Sequence, residues 1–85
     1  MPTLTLYGKP GCHLCDEARE QIELLRRERR FELEQVDVTL DPGLHRRYGE
    51  RIPVVALDGE ELCELRVDAP ALAARLPPAS GASLQ

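Results

Sequence analysis

Apolar residues along this 85-residue chain recur with a spacing that alternates between two and about three and a half, and each change of period predicts a change of element. Thr3 to Tyr7 is short and β-prone, apolar at Leu4 and Leu6, and reads as a strand running into a Gly8-Lys9-Pro10-Gly11 loop. From Cys12 to about Arg30, the spacing of Leu14, Ala18, Ile22 and Leu25 marks one face of a helix, with Cys15 beside it. Asp16 and Glu17 near its start and Arg26, Arg27, Arg29 and Arg30 near its end follow the polarity a helix dipole favours. Glu23 and Arg27 add an i,i+4 pair, and the charge run reads as a solvated face. Phe31 to Val38 is again β-like, but its apolar residues change phase, from Phe31 and Leu33 to Val36 and Val38. Either a strand covered on both faces or a bulge explains that.

Asp41-Pro42 is a helix-start signal, followed by a short helix through Leu44 to Tyr48 that Gly49 stops. Arg51 to Leu57 is an apolar run with Pro53 near its start, and Asp58-Gly59 joins it to Glu61–Leu65 as a hairpin. Asp68 caps a last helix carrying Leu72 and Leu76, with Ala69 and Ala73 small enough to pack closely, and Pro77-Pro78 ends it. The order is β-α-β-α-β-β-α, an α/β class implying a four-stranded mixed sheet with helices on both faces. Residues 1–77 form one domain and 78–85 a disordered C-terminal tail.

Composition narrows the function classes. With 42% apolar and 31% charged residues the chain is an ordinary soluble globule, short enough to bury only about three fifths of its surface. A net charge of -4 gives no support to nucleic-acid or anionic-membrane binding. No charged leader with an apolar stretch, and no run of about eighteen apolar residues, is readable, so a cytoplasmic protein is expected, and small size with an acidic, mixed surface points to a monomer. Three cysteines are an odd number, and a Cys-x-x-Cys pair closes too small a loop to serve as a staple, which argues against a secreted disulfide scaffold.

The chemistry gathers in Tyr7-Gly8-Lys9-Pro10-Gly11-Cys12-His13-Leu14-Cys15. Cys12 at the start of a helix meets unpaired N–H groups and the positive end of the dipole, a setting that lowers a thiol pKa from about 8.5 into roughly 3.5–7.5. Cys15, nearly a turn further in, is within its reach but faces the protein. Cys12 is thus the attacker and Cys15 the resolver of a thiol–disulfide oxidoreductase. His13 either stabilises the thiolate when protonated or is an exposed loop residue, and His45 is an exposed helix residue. Cys63 is either a small buried hydrophobe or, near Cys12, a source of an alternative disulfide. Arg46, Arg47 and Arg51 either form a basic rim with Lys9 that attracts an acidic thiol partner or are solubilising charges. Two readings from other classes compete: a metal or iron-sulfur binding module using the same cysteines, completed by Cys63 or a histidine, and an interaction domain whose cysteines report redox state.

The element order, with Cys-x-x-Cys opening the first helix and a proline opening the third strand, resembles the minimal thioredoxin fold, and within it the glutaredoxin-like proteins, over about Thr3 to Leu76. Tyr7, Lys9 and Cys12 stand in that family's spacing. By resemblance, Lys9 helps stabilise the thiolate and meets a carboxylate of glutathione. The family's Thr-Val-Pro corresponds to Arg51-Ile52-Pro53, implying a cis proline facing the cysteines, a state found in about 5–6% of X-Pro bonds. It would expose the backbone of Ile52 for pairing with an extended thiol substrate. Two departures stand out. Cys-Pro-Tyr-Cys is here Cys12-His13-Leu14-Cys15, and the Gly-Gly placed against glutathione falls near Cys63-Glu64, where a carboxylate and larger side chains crowd or repel that ligand. The implied activity is dithiol exchange in cell redox homeostasis, on protein or small disulfides. No tightly bound cofactor or metal is expected, and electrons come from glutathione as thiol donor or a thioredoxin-reductase-like enzyme.

Overall fold

Along the first strand, β1 (Thr3–Gly8), Leu4 and Leu6 face one side of a sheet and Thr5 and Tyr7 the other, and both sides are covered. The computed structural model describes residues 1–78. After β1 come α1 (His13–Leu25), β2 (Glu32–Asp37), a 3-10 turn at Val38–Leu40, α2 (Pro42–Tyr48), β3 (Val54–Leu57), β4 (Glu60–Glu64) and α3 (Ala69–Ala74). The strands lie in the order β2-β1-β3-β4, with β1 parallel to β2, antiparallel to β3, and β3 antiparallel to β4. The expected mixed four-stranded sheet is therefore present.

Two apolar clusters flank it. Leu4, Leu6, Val55 and Leu57 pack against Ala18, Ile22 and Leu25 of α1 and against Leu72 and Leu76 at α3. On the other face Val54 and Ile52 meet Val38, Tyr48 of α2 and Cys15. Helices thus cover both faces. Each fully buried aliphatic side chain here contributes roughly 1.5–3 kcal/mol. Leu14 does not share the buried face of α1: it is 38% exposed, and Cys15 takes the inward position.

The structure corrects the expected bounds of α1. The helix stops at Leu25, and residues 26–28 form a turn instead of a last helical stretch. Contacts made by Arg29 and Arg30 set this end. Arg29 Nε donates to the Ala73 carbonyl at 2.9 Å, its backbone bridges Pro78, and Arg30 donates its N–H to the Pro77 carbonyl at 2.8 Å. That path docks α3 and delivers Phe31 into the core. The arginines consequently leave the last turn, and Glu23 pairs with Arg26 at 3.6 Å, not with Arg27. In β2 the register with β1 is unbroken, so its phase change reflects cover on both faces: Leu33 packs on the first cluster and Val38, in the 3-10 turn, on the second. A bulge does occur, between Val55 and Ala56 opposite β4.

The remaining signals are realised close to their expected places. Asp41 accepts from Gly43 and Leu44 N–H at 2.8 and 3.3 Å to cap α2. Asp58 and Gly59 take φ of 49° and 92°, both left-handed as a two-residue hairpin turn requires, and Asp58 Oδ1 accepts from Thr3 N–H at 2.9 Å. Asp68 caps α3 through Ala71 N–H at 3.1 Å. Of residues 78–85, expected as a disordered tail, Pro78 instead bridges Arg29, and 79–85 lie outside the described residues.

Candidate active site

The loop after β1 ends on Cys12, which is the N-cap of α1 in extended conformation (φ -98°, ψ 112°). Cys15 donates its backbone N–H to Cys12 Sγ at 3.2 Å, the bond that a capping oxygen normally accepts. A sulfur in that place faces the donor end of the helix, where negative charge is favoured. Cys12 is half-buried and Cys15 buried, and neither is in a disulfide. The Cys15 thiol is pushed up to about 11: burial is the main cause, then the hydrogen bond with Cys12 and the nearby charges of Cys12 and Asp16, while a backbone hydrogen bond with Lys9 pulls the other way. Gly8, at the end of β1, lies directly against Cys15. A Cβ there would stand 3.0 Å from Cys15 Sγ and 3.2 Å from its Cβ. Beside Cys15 opens a cleft of about 270 Å³, to which Lys9, Asp16, Arg19 and Asp37 contribute charge.

Across from the cysteines, the Ile52–Pro53 bond is cis. Ile52 and the two cysteines belong to one packed cluster. Among the described residues neither the N–H nor the C=O of Ile52 has a hydrogen-bond partner. Arg51 anchors this loop to β4, with Nη1 at 3.3 Å from Glu61 and 2.8 Å from Glu64. Arg47 reaches Glu61 at 3.5 Å, and both guanidiniums lie 5.3 Å from the Tyr48 ring, which stacks on Tyr7 with centroids 4.4 Å apart. Burial, and then its hydrogen bond with Glu61, push the Tyr48 hydroxyl up. For the Glu61 carboxyl, burial pushes up, but hydrogen bonds from Tyr48 and Arg51 and the charges of Arg51 and Arg47 outweigh it and hold the group below the ordinary range.

Residues 3–77 match the family described as Glutaredoxin-like domain (DUF836). The chain belongs to this glutaredoxin-like family. It is 38% identical, over 72 residues, to an uncharacterised protein of Mycobacterium tuberculosis, the match covering 79% of this chain and 74% of that one. The solution structure of a protein from Nitrosomonas europaea is similar with a TM-score of 0.79 at 34% identity, over 88% of this chain and 91% of that one. A thioredoxin mutant from Halobacterium salinarum is similar at 0.64 and 25% identity, over 88% and 71%. The thioredoxin-like fold is thereby shown.

Within this glutaredoxin-like domain the expected site residues fall into two groups. Cys12, Cys15, Ile52 and Pro53 gather at one end of the sheet, and Lys9 borders the cleft beside Cys15. His13 opens α1, and its Nε2 lies 2.8 Å from Glu17 Oε2 in an exposed i,i+4 pair. The basic rim is not a free patch, since Arg47 and Arg51 are paired within the chain. Cys63, on β4, packs against the α1–α3 cluster and not the one that holds the other cysteines. Among the described residues no three His, Cys, Asp or Glu side chains come together as a metal cluster, and no helix is long and apolar enough to cross a membrane. Reading the sequence missed Gly8, the Arg51–Glu61–Glu64 ties and Leu65, whose φ of 69° carries no glycine to announce it.

Proposed function

We propose that this glutaredoxin-like domain is a dithiol oxidoreductase that reduces disulfides and serves redox homeostasis in the cytoplasm. The observation that carries the reading is the division of labour between two sulfurs: Cys12 caps the helix and is half-buried, while Cys15 is buried behind it with its thiol held protonated. In the first step Cys12 thiolate forms a bond to one sulfur of the substrate disulfide, and the other sulfur leaves as thiolate. In the second, Cys15 attacks Cys12 Sγ as its proton passes to the substrate's remaining sulfur, which leaves as a thiol, and Cys12–Cys15 is left oxidised by two electrons. An external thiol, glutathione or a reductase-supplied dithiol, restores the pair by the same exchange. No tightly bound cofactor enters. The unpartnered backbone of Ile52 is suited to hold an extended substrate, and Lys9 supplies the nearby cation.

The reduction potential of the pair, from equilibration with glutathione buffers and thiol counting, tests this. A reversible two-electron transition near roughly -200 to -270 mV is the expected result. Cys12→Ser should abolish turnover, and Cys15→Ser should accumulate mixed disulfides. Full turnover in Cys12→Ser, or stoichiometric metal with no reversible transition, would overturn the proposal.

A further inference from the structure

Cys15 is buried, yet it borders the cleft of about 270 Å³ between α1 and the ends of β1 and β2. Asp37, the last residue of β2, borders the same cleft and is half-buried. Its register partner in β1 is Gly8. Paired residues of parallel strands present their side chains on one face, so Leu4 with Leu33, Leu6 with Gln35 and Gly8 with Asp37 all face α1. At Gly8 that face carries no side chain, and a Cβ there would stand 3.0 Å from Cys15 Sγ. One strand spacing, about 4.8 Å, separates that point from the Cβ of Asp37. The glycine thus leaves an open line from the Asp37 carboxyl to Cys15 Sγ, of a length that one water bridges. The cleft has room for several waters.

The Asp37 side chain is fixed on one oxygen and open on the other. Its Oδ1 accepts from Thr39 N–H at 2.9 Å and Thr39 Oγ1–H at 2.6 Å, while Oδ2 has no partner among the described residues. The other charges on the cleft are Lys9, Asp16 and Arg19. Asp16 is exposed and committed to Arg19 at 3.2 Å, and β1 contains no acidic residue. We propose that Asp37 takes the proton that Cys15 loses in the resolving step. This rests on the reading of Cys12 as attacker and Cys15 as resolver, and adds a residue to that reaction. As Cys15 Sγ bonds to Cys12 Sγ and the bond from Cys12 to the substrate sulfur breaks, the proton crosses one water to Asp37 Oδ2. Asp37 hands it on through the cleft water, so the leaving sulfur still ends as a thiol. The Lys9 backbone, hydrogen-bonded to Cys15, steadies the sulfur as it gains charge. An acceptor matters because burial pushes this thiol up to about 11, leaving little thiolate at neutral pH.

Rapid mixing of the reduced protein with dithiobis(nitrobenzoate) reads the two steps apart, in a Cys63→Ala background that leaves Cys12 and Cys15 as the thiols. The first nitrothiobenzoate released reports attack by Cys12 and the second reports resolution by Cys15. Because this group leaves as a thiolate, the second phase follows proton loss from Cys15 alone. Asp37→Asn keeps the side chain's shape and an oxygen for Thr39. It should leave the first phase as it is and slow the second about a hundredfold at pH 7, the lower end of what a positioned base supplies. The second phase should vary little between pH 6 and pH 8 with Asp37 present, and rise about tenfold per pH unit in Asp37→Asn, with the thiolate fraction. Asp37→Glu should restore the shallow profile. A second phase in Asp37→Asn with the original rate and profile would overturn the assignment. So would equal slowing of both phases, or a slower second phase with an unaltered pH dependence, each of which reports a structural change. Asp16→Asn removes a charge that opposes ionisation of Cys15 and should not slow the second phase. If it slows that phase as Asp37→Asn does, Asp37 is not the specific acceptor and the proposal fails. Absence of the first phase fails the underlying reading of Cys12 instead.

Discussion

Cys15 shares a helical turn and an apolar cluster with Cys12 but is the more deeply buried of the two, and burial is the main reason its thiol is pushed up to about 11. Replacing Cys12 by serine removes that thiol's charge and leaves the burial, the Asp16 charge and the Lys9 hydrogen bond. The pH profile of Cys15 alkylation in Cys12→Ser should therefore keep its midpoint above the ordinary 9.0, and a midpoint at or below that value would refute burial as the cause. Linkage gives the sign for stability: the unfolded thiol ionises first, so stability is fully present below 9.0 and declines as pH rises from 9.0 to about 11. Gly8 belongs to the same contact. Gly8→Ala places a methyl 3.0 Å from Cys15 Sγ, so we expect a loss of about 1–3 kcal/mol in urea unfolding and slower resolution of a trapped mixed disulfide. Cys12 and Cys15 were legible in the sequence through their Cys-x-x-Cys spacing, and Pro53 through the resemblance to glutaredoxin-like proteins. Gly8 was not, because its constraint arises only when α1 packs onto the end of β1, and Leu65 was not, because a leucine does not advertise a positive φ.

Between elements, the main tie at this end of the sheet runs from α2 through Arg51 to β4. Glu61 is its hub, and its folded carboxyl lies below the ordinary 4.5, so its contribution to stability is present above that value and is lost as pH falls through the folded one. Melting temperatures measured from pH 6 to pH 3 should fall less steeply in Glu61→Gln than in the wild type, and parallel curves would contradict this. Strand and helix types followed from the apolar period, and the caps at Asp41 and Asp68 from local chemistry. The ends that failed were set by distant partners. Arg27, Arg29 and Arg30 continue a helix-like pattern, yet α1 stops because Arg29 reaches Ala73 on α3, more than forty residues away in sequence. The Arg47 and Arg51 pairs were equally hidden, since a loop arginine does not reveal which strand it will meet.

For the molecule as a whole, two clusters on opposite sheet faces divide the work: one joins α1 and α3, the other carries Cys12 and Cys15. Leu72, 1% exposed, is the contribution of α3 to the first, and Leu72→Ala should cost about 2–5 kcal/mol, a large share of a small domain's stability. Leu24, a residue of α1 that is 56% exposed, should change stability by no more than about 0.5 kcal/mol when made alanine. Denaturant midpoints for the two variants check the difference. Topology was readable from the order of elements, because a parallel crossover followed by an Asp-Gly hairpin leaves few alternatives. The register also fixes direction: Leu4 lies opposite Leu57 and Tyr7 opposite Val54, so the Asp58-Gly59 turn and the start of β1 share the end of the sheet remote from Cys12. A fluorescent label, affinity handle or fused carrier domain joined before Thr3 is thus attached a strand length from Cys12, and immobilisation by that end leaves the Cys12 end of the sheet facing away from the support.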